Sequence, residues 1–215
     1  MRSKFDEELN LLNDELTEMG DLISVRIIEA VRAFRHKDLI KAKFIMDNDE
    51  DVNEYERKIE ERALKLLLRQ QPVASDLRLI SSALKMITDM ERIGDHAVDI
   101  AEIVMTISQV TKDETYQKII VMADTSIEML KESLKSFVTG DLSLVDNISR
   151  HDDRVDGFFD EVREDVVGEI RADTIGAEYA IDILMIAKYL ERIGDHAENI
   201  SEWVEYSITG QHVQK

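Results

Sequence analysis

The chain has 215 residues, 44% of them hydrophobic, which is enough for one large or two small compact domains with real cores. Its 46 acidic residues against 27 basic give a formal net charge of −19, and no stretch gathers Lys and Arg into a stripe that could track phosphates, which argues against nucleic acid as a partner. With no cysteine, disulfides, thiolate zinc and cysteine-ligated iron–sulfur clusters are excluded.

One proline and eight glycines, in a sequence crowded with Leu, Ile, Ala, Glu, Lys and Met, leave few interruptions to helix, so the expected class is all-α. The opening MRSKFDEELN brings acids before any apolar run, and nowhere do about 18 uncharged apolar residues occur together. A soluble, cytoplasmic protein is expected. In the first helix Leu12, Leu16, Met19, Ile23, Ile27, Ala30 and Phe34 fall on one side. A break follows near His36 and Lys37, with Asp38 suited to cap the next helix. The second break is at Gln71 and Pro72, where the proline suits a first helical position. Further breaks fall near Thr111 and Lys112, at Gly140 with Asp141 as N-cap, and across Ala172 to Thr174, which makes six helices, most of them long.

The second half echoes the first. Glu29-Ala-Val-Arg-Ala-Phe34 before Asp38 matches Glu132-Ser-Leu-Lys-Ser-Phe137 before Asp141, and Glu91-Arg-Ile-Gly-Asp-His-Ala97 recurs unchanged as Glu191-Arg-Ile-Gly-Asp-His-Ala197. Two three-helix bundles descended from one duplicated unit are expected, over residues 1–110 and 111–215.

Glu91 and Asp95, like Glu191 and Asp195, stand four residues apart and so point from one helix face. The preceding helix carries a second pair, Asp152 and Asp156 in the second half, Asp49 and Asn53 in the first. For antiparallel helices turning back near residue 72, Asp49 comes level with Asp95 and Asn53 with Glu91, within about 3 Å along the axis. Glu91 and Asp95 share a stripe with Ile80, Leu84, Ile87 and Val98, whereas Arg92, His96 and Asp99 share a polar face with Ser81 and Lys85. Crowded carboxylates on an apolar stripe take up protons or find cations. A single i,i+4 acid pair is ordinarily satisfied by a nearby Arg or Lys, but four matching pairs, two per repeat, favour metal. Oxygen donors without thiolate favour Mg²⁺, Mn²⁺, Ca²⁺ or Fe over a structural zinc. His96 and His196 lie roughly 140° round the helix from the glutamates and are expected at a surface or interface. Gly94 and Gly194, each costing about 1 kcal/mol in a helix interior, point to close helix contact or space for the cluster.

The segments Gln70-Gln-Pro-Val-Ala-Ser-Asp-Leu-Arg78, the doubled E-R-I-G-D-H-A and the D-x-x-x-N and D-x-x-x-D pairs resemble the PhoU family of phosphate-transport regulators, in the right order over essentially the whole chain. The resemblance implies two similar three-helix bundles and a homodimer. It also implies clusters of divalent or transition metal ions (Fe, Mn, Mg or Zn) held by Asp49, Glu91 and Asp95 in the first bundle, and by Asp152, Asp156, Glu191 and Asp195 in the second. Asn53 departs from the pattern and leaves the first site one carboxylate short, so the second is expected to bind more tightly. The implied function is negative regulation of phosphate uptake without catalysis. It would be exercised by contact with the phosphate ABC transporter ATPase and the phosphate-sensing histidine kinase, and so only peripherally with membrane complexes. Two rivals from other classes are a carboxylate-bridged metal-dependent enzyme and a metal-free helical adaptor. The enzyme lacks support from Glu-x-x-His, a nucleophile motif or a phosphate loop.

Overall fold

The computed structural model describes residues 2–69, 73–107 and 113–211. Their order is α1 (Arg2–His36), α2 (Leu39–Asp47), α3 (Glu50–Arg69), α4 (Ala74–Thr106), α5 (Asp113–Thr139), a 3-10 turn (Leu142–Leu144), α6 (Ile148–Arg171) and α7 (Ala177–Thr209). Six helices are long, as the spacing predicts, and the short α2 is additional. Pro72, with the breaks at 70–72 and 108–112, lies outside the described residues. Asp38 and Asp141 both cap as expected, accepting from the backbone N–H of Lys41 and Ser143. The chain leaves α1 through Lys37 at φ 51° and α5 through Gly140 at φ 73°, so the same left-handed step is taken by a lysine in one repeat and a glycine in the other.

Helices α1, α3 and α4 form one three-helix bundle, and α5, α6 and α7 the other. The whole apolar stripe of α1, from Leu12 to Phe34, is fully buried, which is what the 3.6-residue period of those residues requires. The core is continuous across both bundles because α4 and α7 carry apolar residues on two faces and make the most extensive helix contact in the molecule. Each α1–α3-type interface also holds an ion-paired triad. In the first bundle Glu15 of α1, 4% exposed, accepts two 2.7 Å hydrogen bonds from Arg62 of α3, with Lys58 at 3.3 Å. The aligned triad of the second bundle has its signs reversed: Lys118 of α5 lies 2.6 Å from Asp165 and 3.3 Å from Glu161 of α6.

The repeated histidines meet at the α4–α7 contact, as interface residues. His196 Nδ1 lies 2.8 Å from Asp89 Oδ1, and the His196 ring stacks on His96 at 5.7 Å. The residue that aligns with Asp89 is Tyr189, so His96 stacks on that ring at 5.4 Å and turns its Nδ1 to Asp99, 3.0 Å away. Asp89 is only 8% exposed, and losing its partner leaves a carboxylate stranded in the interface. We therefore expect His196→Ala to cost about 1.5–3 kcal/mol in urea unfolding and His96→Ala clearly less, since Asp99 has access to water. Equal losses for the two would show that the Asp89 pair is not what holds this contact.

Candidate metal centre

The second acid cluster is built where α6 runs antiparallel to α7. Asp152 and Asp156 are one turn apart on α6, as are Glu191 and Asp195 on α7, and the turn near residue 174 sets them level. Oxygens of Asp156, Glu191 and Asp195 lie within 4.8 Å of one another, the one such gathering of possible metal ligands among the described residues. Asp152 borders it, with an Oδ1 atom that is buried and has no hydrogen-bond partner. Burial, then the nearby charges of Glu198, Asp156 and Asp195, push the Asp152 carboxyl up to about 7. Burial and neighbouring acids also raise Asp156 and Asp195. Lys188 donates to Glu191 Oε1 at 2.5 Å and is equally near Oε2, which is buried without a properly directed hydrogen bond.

Gly194 explains how α6 comes so close. A Cβ there would stand 3.3 Å from Asp152 Oδ1 and 3.5 Å from Val155 Cγ1. At Gly94 the corresponding Cβ would instead meet Val52 Cγ1 at 3.1 Å. One glycine therefore makes room for the acid cluster and the other for helix packing.

In the first bundle the register brings Asp49 near Asp95 and Glu91. The Asp95 carboxyl is raised by burial and then by Asp49, and Glu91 by burial, Asp95 and Glu56. The surroundings differ from those of α6. Arg26 of α1 donates to the Asp49 carbonyl at 3.2 Å and to that of Asn48, and lies 3.8 Å from Asp49 Oδ1. Asn53 hydrogen-bonds to Glu50, holding that carboxyl below the ordinary range together with Arg57, whose contribution is the larger. The acid that α3 brings to Glu91 is Glu56, one turn beyond Asn53, and its carboxyl is raised by burial, Glu60 and Asp95. Glu56 and Glu198 are the site residues missed in the sequence. Glu56 was within reach of helical spacing from Asp49 and Asn53, whereas Glu198 aligns with Val98 and carries no repeat signal. Asp99, engaged with His96, also helps to raise Asp95, after burial and Asp49.

Fold and site together define a class: a helical protein of two tandem three-helix bundles, each with a carboxylate-lined face encoded by the same repeated motif. The PhoU domain is matched twice along the chain, over residues 16–104 and 119–204. A phosphate-specific transport system accessory protein PhoU homolog of Clostridium acetobutylicum is 32% identical over 99% of this chain and 97% of its own length. A Thermotoga maritima homolog is 32% identical over 98% and 91%. Crystal structures of the phosphate transport system regulatory protein PhoU from Streptococcus pneumoniae and of PhoU from Pseudomonas aeruginosa superpose with TM-scores of 0.89 and 0.87, at 28% and 32% identity. These cover 98% and 96% of this chain and the whole of each structure. The chain belongs to the PhoU family. No helix among the described residues is long and apolar enough to cross a membrane.

Proposed function

We propose that this protein is a metal-binding, non-catalytic negative regulator of phosphate uptake, acting in the cytoplasm as a homodimer on the phosphate ABC transporter ATPase and the phosphate-sensing histidine kinase. The observation that carries the reading is the match of both repeats, over nearly the whole chain, to proteins named as accessory or regulatory to phosphate transport. The duplicated units we assign are residues 1–110 and 111–215. Apolar side chains standing out on α1 and α2, among them Val25, Ile40 and Phe44, support a partner-covered surface.

The second cluster fits a divalent cation. Its donors are all carboxylate oxygens, and the unpartnered Oδ1 of Asp152 is buried beside it, an arrangement that costs stability until a proton or a cation arrives. Asp152, Asp156, Glu191 and Asp195 would hold the ion, and Asp49, Asn53, Glu91 and Asp95 form the corresponding set in the first bundle. A bound ion supplies charge neutralisation and locks α6 to α7.

Deleting the gene should raise phosphate uptake and stored phosphate in phosphate-replete cells, measured as ³²P accumulation. Unchanged uptake in a strain with no second copy sinks the reading. Restoration by a plasmid copy carrying Asp156→Asn and Asp195→Asn would leave regulation standing without the metal, which is the adaptor alternative.

A further inference from the structure

Each acid cluster already holds a side-chain cation, and the two are held very differently. At the second cluster it is Lys188, whose Nζ lies 2.5 Å from both Glu191 oxygens and 5.4 Å from the centre of the Phe159 ring. Its side chain is 38% exposed at the rim of the site. The aligned residue of α4 is Thr88, so the first cluster has no such lysine. At the first cluster the cation is Arg26, 6% exposed, tied to the carbonyls of Asn48 and Asp49 and lying 3.4 Å from Asp51 Oδ2. The aligned residue of α5 is the buried Met129, so the second cluster has no such arginine.

We propose that these two cations decide which cluster takes up a divalent ion: Lys188 is a placeholder that leaves when the ion arrives, and Arg26 is a fixed charge that keeps the first cluster closed. The inference rests on the metal reading given above and adds the residues that set its selectivity. An ammonium on a flexible four-carbon stem recovers full hydration when it swings out from a partly exposed position, so its displacement by a doubly charged ion is cheap. A buried guanidinium has no such exit. Moving it would take one donor from each of the two carbonyls at the α2–α3 turn, which then keep only the backbone N–H groups of Asp51 and Val52, and keeping it leaves a positive charge beside Asp49, where an entering cation would be repelled. The asymmetry therefore lies in charges brought from outside the repeated acid motif.

The test is calorimetric titration of the metal-free full-length protein with Mn²⁺, alongside reductive methylation of Lys188 followed by peptide mass spectrometry. In wild type we expect one class of Mn²⁺ sites, lost in Asp156→Asn, and Lys188 methylation at least threefold faster with Mn²⁺ than without. Lys188→Met should bind Mn²⁺ tenfold or more tightly than wild type. Arg26→Met should gain a second class of sites. Binding that is lost in Asp156→Asn but unchanged in Lys188→Met, with methylation indifferent to Mn²⁺, overturns this inference and leaves the metal reading intact. A folded Arg26→Met with a single class of sites overturns the role of Arg26. If Arg26→Met does not fold, the affinity of Lys188→Met and the methylation rates decide. No Mn²⁺ binding in any variant overturns the metal reading and this inference with it.

Discussion

Stripped of metal, the protein should become more stable as the pH is lowered from 8 to 5. The group that sets this is Asp152, whose carboxyl is pushed up to about 7 in the folded state from an ordinary 3.8. The folded protein therefore takes up a proton as the pH falls through about 7, one that the unfolded chain still lacks at pH 5, and stability rises as pH falls. The penalty for burying the charged form is fully present above pH 7, shrinks on acidification and is gone below the unfolded value. The full rise is worth about 4 kcal/mol, of which no more than about 2–3 is gained between pH 8 and 5, and sharing of protons among Asp152, Asp156 and Asp195 sets the realised amount at or below that. The unfolding temperature should then climb by roughly 5–10 °C for a chain of this length. The carboxyls held low, Glu29, Glu50, Glu61 and Asp141, act in the opposite sense but lose their contribution only at more acidic pH. Asp152→Asn isolates the one group: it should be more stable than wild type at pH 8 and gain clearly less over the interval, the remaining slope coming from the other raised carboxyls, Asp156, Asp195, Glu91 and Asp95. A wild-type curve that parallels the variant's at every pH would remove Asp152 as the cause.

Arg62→Met should be the most damaging single change at the α1–α3 interface, at about 3–5 kcal/mol, because it leaves the Glu15 carboxylate buried with only Lys58 near it. Exchanging the whole triad, Glu15→Lys with Lys58→Glu and Arg62→Asp, together with Glu8→Gln to relieve the acid that now pairs with Arg62, reproduces the arrangement of Lys118, Glu161 and Asp165 and should recover most of the loss. Denaturant unfolding of the single and combined variants measures this. A loss below about 1 kcal/mol for Arg62→Met would place the pair among ordinary surface ion pairs.

Much of the fold was legible because it is periodic or repeated. The buried stripe of α1 follows from its spacing, the caps from Asp38 and Asp141, and the antiparallel level of the acids from counting residues about the turn. What was not legible depends on residues distant in the chain. The break at Asn48 and Asp49 that separates α2 from α3 is held by Arg26, 22 and 23 residues away, and no local pattern marks it. Nor does the motif disclose that Asn53 turns to Glu50 while Glu56 takes its place before Glu91. The repeat also conceals a difference, because identical E-R-I-G-D-H-A segments sit among unlike neighbours: Val52 faces one glycine and Asp152 the other. The arginine or lysine partners that an isolated acid pair ordinarily finds are present in part, as Arg26 and Lys188, but they come from outside the repeated letters.

The reversed triads bear on how a duplicated chain avoids assembling wrongly. Helices α1 and α5 are relatives, as are α3 and α6, and their apolar stripes alone would let either first helix settle against either second one during folding, or let two chains exchange halves. Placing α1 on α6 would bring Glu15 up against Asp165 and Glu161 at the edge of the helix contact. Placing α5 on α3 would bring Lys118 up against Arg62 and Lys58. Each mismatch sets like charges against the largely covered Glu15 or Lys118, so the crossed arrangements are penalised twice while the proper ones are rewarded twice. The opposite signs thus act as matching addresses, allowing two near-copies of one bundle to fold side by side on a single chain without trading helices.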